Sequence, residues 1–205
     1  MIKSVLKVFL RWHNFCYTVI SSLAIKYEGG IHPKHRILNY HQFFLDNIKA
    51  GDKVLDIGCS SGELAFGLAK KASKVVGIDF NEKHLLKAKN NNKAQNIEYI
   101  LGDATQYNFQ EKFDVAVLSN VLEHIEDRVG FLRKISLIAP KILIRVPLLT
   151  RDWLACYKKE IGVEYRLDKT HFIEYTKEQF KEEVEKAGLK IEKEEVNFGE
   201  IYAKL

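Results

Sequence analysis

The chain has 205 residues, 46% of them hydrophobic and 29% charged, with a formal net charge of +5. That length suits one domain of ordinary size with at most a small appendage, and the balance of residues excludes an intrinsically disordered chain. Cys16, Cys59 and Cys156, odd in number and far apart, exclude a disulfide framework or a CxxC metal site and fit a reducing cytoplasm, while lysines interleaved with glutamates read as a solvated surface rather than a nucleic-acid groove.

The first 27 residues, MIKSVLKVFLRWHNFCYTVISSLAIKY, are apolar and basic at once: Lys3, Lys7, Arg11 and Lys26 stand among them, and no acid precedes Glu28. The longest stretch free of Lys and Arg, Trp12 to Ile25, is too short for a membrane span, and Lys7 and Arg11 interrupt what would have to be a signal peptide's core. Two readings stay open. One is a helix packed on the domain over a pocket; the other is a helix lying in a membrane interface, where Phe9, Trp12 and Phe15 beside cations are at home. Residues 1–50 are expected to form a helical lid, with Glu28-Gly29-Gly30 able to act as its hinge.

From Gly51 onward, short apolar runs alternate with amphipathic segments. KVLDIG (53–58) reads as strand, ELAFGLAKKA (63–72) as helix, KVVGIDF (74–80) as strand and NEKHLLKAKNN (81–91) as a helix opened by an Asn cap. NIEYIL (96–101) and FDVAVLS (113–119) are further strands; a helix over 127–138, stopped by Pro140, precedes the strand KILIRV (141–146). Strands apolar on both faces and separated by helices imply a doubly wound, parallel α/β sheet covered on both sides. A last helix (177–188) carries Phe180, Val184 and Ala187 on one stripe, and the closely spaced runs LKIEKEEV and EIYAKL read as a hairpin that makes the sheet's C-terminal strand antiparallel. The domain then spans 51–205, with an insertion over about 150–175.

Ligands of open α/β sheets sit at the carboxyl ends of the strands, and VLDIGCSSGELA (54–65) occupies that place. A dinucleotide fingerprint laid on Gly58 would need glycines at Ser60 and Glu63, and no Gly-Lys-Ser/Thr follows to make a Walker A loop. What fits is Gly58 and Gly62, with Asp56 two residues before the first glycine. Asp79 ends the second strand, where a carboxylate can accept both hydroxyls of a ribose or cap the next helix. Gly102-Asp103-Ala104 follows the third strand and Ser119-Asn120-Val121-Leu122-Glu123-His124-Ile125 the fourth.

This ordered set resembles the class I S-adenosylmethionine methyltransferases, whose motif D-x-G-x-G-x-G matches here with Ser60 in place of the middle glycine. The resemblance is strong over residues 51–146 and looser toward the ends, where EGGIHPKHRILNYHQFF and YRLDKTHFIEYTKEQFKEEVEKAGLKI look like small-molecule methyltransferases, including those of quinone and methyl-sugar biosynthesis. It implies a Rossmann-like, seven-stranded sheet. It also implies that S-adenosylmethionine lies along Asp56, Gly58, Cys59, Ser60 and Gly62, its ribose on Asp79 beside Phe80, its adenine on Asp103 and Ala104, and its methionine part on Ser119 and Asn120. Cys59 is read as a packed small residue of that turn. In the quinone-pathway enzymes an arginine upstream holds the cofactor's carboxylate, and Arg36 stands where that residue would be.

The resemblance further implies methyl transfer with S-adenosylhomocysteine as product. Such a reaction requires no metal; positioning and exclusion of water supply much of the acceleration. A hydroxyl acceptor gains from a base poised near neutral pH. His124, in the segment after the fourth strand, and His171, in the insertion, are the candidates; His32, His35 and His41 fit packing or substrate contact better. No Asn-Pro-Pro-Tyr segment or Pro-Cys nucleophile is present for nucleobase methylation, and Glu123 lacks the partner glutamate that arginine methylation calls for. The leading expectation is O-methylation of a sugar, sugar-lipid or quinone-type precursor, and a lipid-linked acceptor would make sense of the basic, apolar N-terminus. An RNA methyltransferase, or a scaffold that binds S-adenosylmethionine without transfer, are the rival readings.

Overall fold

The computed structural model describes residues 1–205. Its strands are β1 (Lys53–Ile57), β2 (Lys74–Asp79), β3 (Ile97–Leu101), β4 (Val115–Ser119), β5 (Lys141–Pro147), β6 (Lys193–Asn197) and β7 (Glu200–Lys204). They form one sheet in the order β3-β2-β1-β4-β5-β7-β6. The helices are α1 (Ile2–Tyr27), α2 (Lys34–Leu38), α3 (His41–Asn47), α4 (Glu63–Ala69), α5 (Glu82–Asn91), α6 (Arg128–Ser136), α7 (Trp153–Glu160) and α8 (Lys177–Lys186).

Because successive strand residues point to opposite faces, the apolar runs of the central strands feed two cores at once. On one face Val54, Val75, Val117 and Leu143 pack with Phe44 of α3 and Leu64 and Leu68 of α4. On the other, Leu55, Ile78, Leu118 and Ile144 pack with Phe131 and Ile135 of α6 and with Phe180 and Val184 of α8. Tyr40, Phe43, Phe44 and Ile48 belong to the first core, so the expected division at residue 50 does not mark a packing boundary.

The C-terminal hairpin forms and β7 is the antiparallel strand, paired with β5 on one side and β6 on the other. The last strand to be made is therefore not the edge. β7 is buried over its first four residues, whereas every residue of β6 is exposed; the apolar strand takes the interior position and the charged Lys193-Glu194-Glu195 run guards the edge. α8 opens on a capping box in which Thr176 and Gln179 satisfy each other's backbone N–H.

Candidate active site

β1 lies between β2 and β4, and the chain leaves it in one direction toward β2 and β3 and in the other toward β4 and β5. That reversal opens a crevice above the carboxyl ends of β1 and β4, the place where open α/β sheets bind ligands.

The turn after β1 is built from left-handed residues. Gly58 has φ +67° and Gly62 φ +83°; a Cβ on the first would meet Val121 Cγ2 at 2.7 Å, and on the second would run into the Tyr99 hydroxyl. Ser60 is left-handed as well, with φ 48°. Glycine is the residue that adopts this bend freely, and serine keeps it at a steric cost of about 1–2 kcal/mol.

The Ser60 N–H donates to Asp79 Oδ2 at 2.9 Å and the Asn81 N–H donates to Oδ1 at 2.8 Å. The buried Asp79 carboxylate is thereby aimed from both sides, with a lone pair left on each oxygen for a further donor. It is not the helix cap: the Asn81 side chain takes that role by accepting from the His84 N–H at 3.2 Å.

Asp56 is buried beneath the same turn, with Oδ2 lacking any partner. Burial, with Asp79 and Glu63 nearby, pushes its carboxyl up to about 8. Cys59 packs under the bend against Gly77, where a Cβ would meet its Sγ at 2.9 Å, and burial pushes its thiol above the ordinary range. Phe80 is 79% exposed at the rim. Asp103 Oδ1 accepts from the Thr105 N–H at 2.8 Å and hydroxyl at 2.7 Å, closing its own turn, and the neighbouring Ala104 carbonyl accepts from Lys134 Nζ at 3.1 Å. Ser119 lies in register with Arg145 of β5. Asn120, left-handed at φ 56°, accepts from Arg145 Nε on Oδ1 at 2.7 Å.

Arg36 lies on α2. Its guanidinium donates to Glu28 at 2.9 Å, and its side chain is 69% exposed. The buried cation of the site is Arg145, which lies 3.6 Å from the Tyr40 ring centroid and 3.4 Å from Glu200 Oε2 and leaves Nη1 without a partner. An arginine inside the otherwise apolar run ILIRVP (142–147) was the sequence signal for it. Burial, with Lys34 and Arg145 nearby, holds His35 down to about 4, and burial with His35 and Arg145 does the same for His41, so both are neutral near pH 7.

The insertion supplies the facing wall. His171, buried, meets Glu174 Oε1 through Nδ1 at 2.9 Å; Glu174 also accepts from Arg151 Nη1 at 2.6 Å and from the Leu167 N–H at 2.6 Å. The His124 ring stands edge-on to that of His171 with centroids 4.4 Å apart, and its Nδ1 lies 2.9 Å from the Thr170 hydroxyl. Burial, with His171 nearby, lowers the His124 pKa. Glu123 is fully buried with neither carboxylate oxygen partnered, and burial pushes it up to about 8. One donor atom each from Glu123, His124 and His171 lies within 4.8 Å of the others, a set that could hold a metal ion. The two histidines singled out from the sequence are thus neighbours although 47 positions apart (171 − 124), and the glutamate between β4 and His124 joins them.

The family described as "Methyltransferase domain" matches residues 48–188. The chain is 30% identical over 124 residues to the ubiquinone biosynthesis O-methyltransferase of Bradyrhizobium diazoefficiens, a match covering 59% of this chain and 49% of that one. It is 29% identical over 150 residues to the protein of the same name from Proteus mirabilis, covering 69% and 61%. The chain thus spans about half to three-fifths of the length of these curated relatives. Among solved structures, the magnesium protoporphyrin IX methyltransferase of Synechocystis with bound S-adenosylhomocysteine superimposes with a TM-score of 0.65 at 16% identity, over 92% of this chain and 98% of that one; that is a likeness of fold.

Proposed function

The chain belongs to the methyltransferase-domain family, and from that premise we propose that it moves a methyl group from S-adenosylmethionine to a hydroxyl of a small molecule, releasing S-adenosylhomocysteine. The observation that carries the cofactor reading is Asp79. A buried carboxylate braced by two backbone N–H groups at the end of β2, beside a left-handed turn in which Gly58 and Gly62 leave no room for a Cβ, fits a ribose diol and the chain of atoms leading from it. Asp56, Cys59 and Ser60 shape the floor of that turn, Phe80 borders the ribose, Asp103 and Ala104 take the adenine edge, and Ser119 and Asn120 line the methionine end.

When bound, the cofactor supplies a methyl group on a sulfonium that leaves as a neutral thioether. The protein's own work is to hold the acceptor, exclude water and receive the hydroxyl proton. His171 suits the role of proton acceptor, because Glu174, on Nδ1, fixes the ring with its proton on that nitrogen and leaves Nε2 free to accept another. His124, packed against it and tethered through Nδ1 to Thr170, is the second candidate, and its lowered pKa keeps it a base near pH 7.

Two curated relatives named for ubiquinone biosynthesis support a quinone-type precursor as acceptor. The mixture of Trp153, Tyr157, Tyr165 and Arg166 in the insertion supports a sugar or sugar-lipid equally well. Tritium transfer from labelled S-adenosylmethionine into a panel of quinol precursors, sugars and RNA tests the reading. Label in a small hydroxylated acceptor is expected, and label confined to RNA, or no transfer at all, overturns it.

A further inference from the structure

We propose that α1 is a membrane-docking element that lies flat on a bilayer surface bearing anionic lipid. Only one side of α1 is used by the rest of the protein. Of its 26 residues only Leu10 is buried. Asn14 donates to the Glu164 carbonyl at 2.8 Å and accepts from Lys158 Nζ at 2.6 Å, and Ser21 meets His32 at 2.9 Å. Leu10, Asn14 and Ser21 share one face, which meets α7 and the turn that follows it through Asn14 and the loop before α2 through Ser21.

The opposite side is apolar and bare. At about 100° per residue, an arc of roughly 140° carries Val5, Phe9, Trp12, Phe15, Ile20 and Leu23, with no charged residue before Lys26 near its C-terminal end. Phe9 is 68% exposed, Trp12 61%, Phe15 62% and Ile20 64%. An exposed run of this length, about 39 Å for 26 residues, is far more than the scattered apolar residues of an ordinary surface.

The charges choose the occupant. Lys3, Lys7 and Arg11 follow at intervals of four and wind from the docked side, where Lys3 is in line with Ser21, to the border of the strip, which Arg11 reaches; Lys26 stands in the strip near its end, and α1 contains no acid at all. A second copy of the helix would bring the same cations and no carboxylate to meet them. The strip is also wider than the narrow seam along which two helices pair. A leaflet with anionic headgroups supplies both things the helix lacks, an apolar layer for the rings and negative charge for the flanking cations. No helix of the chain is long and apolar enough to cross a membrane, so the helix lies on the surface. One consequence rests on the proposed methyl transfer: α1 is seated on the insertion that carries His171, so a docked helix holds the acceptor side near the lipid, as a lipid-linked acceptor requires.

The test uses the full chain with no methyl donor present, so that its failure leaves methyl transfer standing. Co-sedimentation is measured with phosphatidylcholine vesicles with and without phosphatidylglycerol, and oligomeric state is read by light scattering. At least tenfold stronger partition onto the anionic vesicles is expected, with a blue shift in tryptophan emission. Trp12→Glu with Phe15→Glu, both at solvent-facing positions, should lower partition tenfold or more without lowering the melting temperature. Arg11→Gln with Lys26→Gln should remove the preference for anionic lipid. No binding, binding unaffected by the Trp12/Phe15 pair, or a soluble dimer that this pair dissolves, would each overturn the proposal.

Discussion

Asp56 puts a carboxyl in the centre of the sheet with one oxygen unpartnered. Burial first, and Asp79 and Glu63 second, raise its pKa from 3.8 to about 8. A carboxyl with a raised pKa holds its proton more tightly in the folded chain than in the unfolded one. Its contribution is therefore fully present below about pH 4 and is lost as pH rises toward about 8. Linkage with those two values gives a loss of about 3 kcal/mol between about pH 5.5 and about pH 8.5, or about 6–12 °C in Tm for a chain of roughly 200 residues. Asp56→Asn keeps the shape and removes the titration. Thermal unfolding of both proteins without cofactor should show the variant gaining on the parent by about that amount as pH rises. Glu123 shifts in the same direction but is common to both proteins and cancels in the difference. A difference that stays flat across the range would refute the claim that Asp56 is held neutral by its surroundings.

The crevice gives three more expected outcomes. Asp79→Asn, which keeps the size but removes the charge behind two acceptor positions, should weaken S-adenosylhomocysteine binding about 10- to 100-fold by calorimetry; unaltered affinity would dismiss the ribose assignment. Ser60→Gly should raise Tm by about 2–8 °C, because it relieves a left-handed serine worth about 1–2 kcal/mol, and a lower Tm would show that the hydroxyl contributes more than the bend costs. His171→Ala and His124→Ala should each be compared for kcat and for S-adenosylhomocysteine affinity: a fall of about 100-fold in kcat from at least one, with affinity within about twofold, is the mark of a base, whereas full turnover in both would remove them together.

The layout of the domain was legible in the order of residues alone. Runs apolar on both faces can be satisfied only between two helical layers, so KVLDI, KVVGID and VAVLS dictated a parallel sheet. Gly58, Gly62 and Asp79 were readable because a bend and a carboxylate each demand particular residue types. Asn81 announced the cap of α5 by the same logic. Pairings between distant segments, by contrast, were settled by folding in three dimensions. Arg36 turns outward to Glu28 while Arg145, 109 positions later (145 − 36), becomes the buried cation beside Asn120, because strand register and not sequence distance sets which side chains meet. Glu123, His124 and His171 converge for the same reason. The last strand takes the interior of the sheet because burying Ile201, Tyr202 and Ala203 outweighs the shorter path that would have left the charged β6 inside. α1 was legible as apolar and basic, yet only its docking on α7 determined which of its faces remains open, since a helix pattern read alone does not say which side the domain will cover.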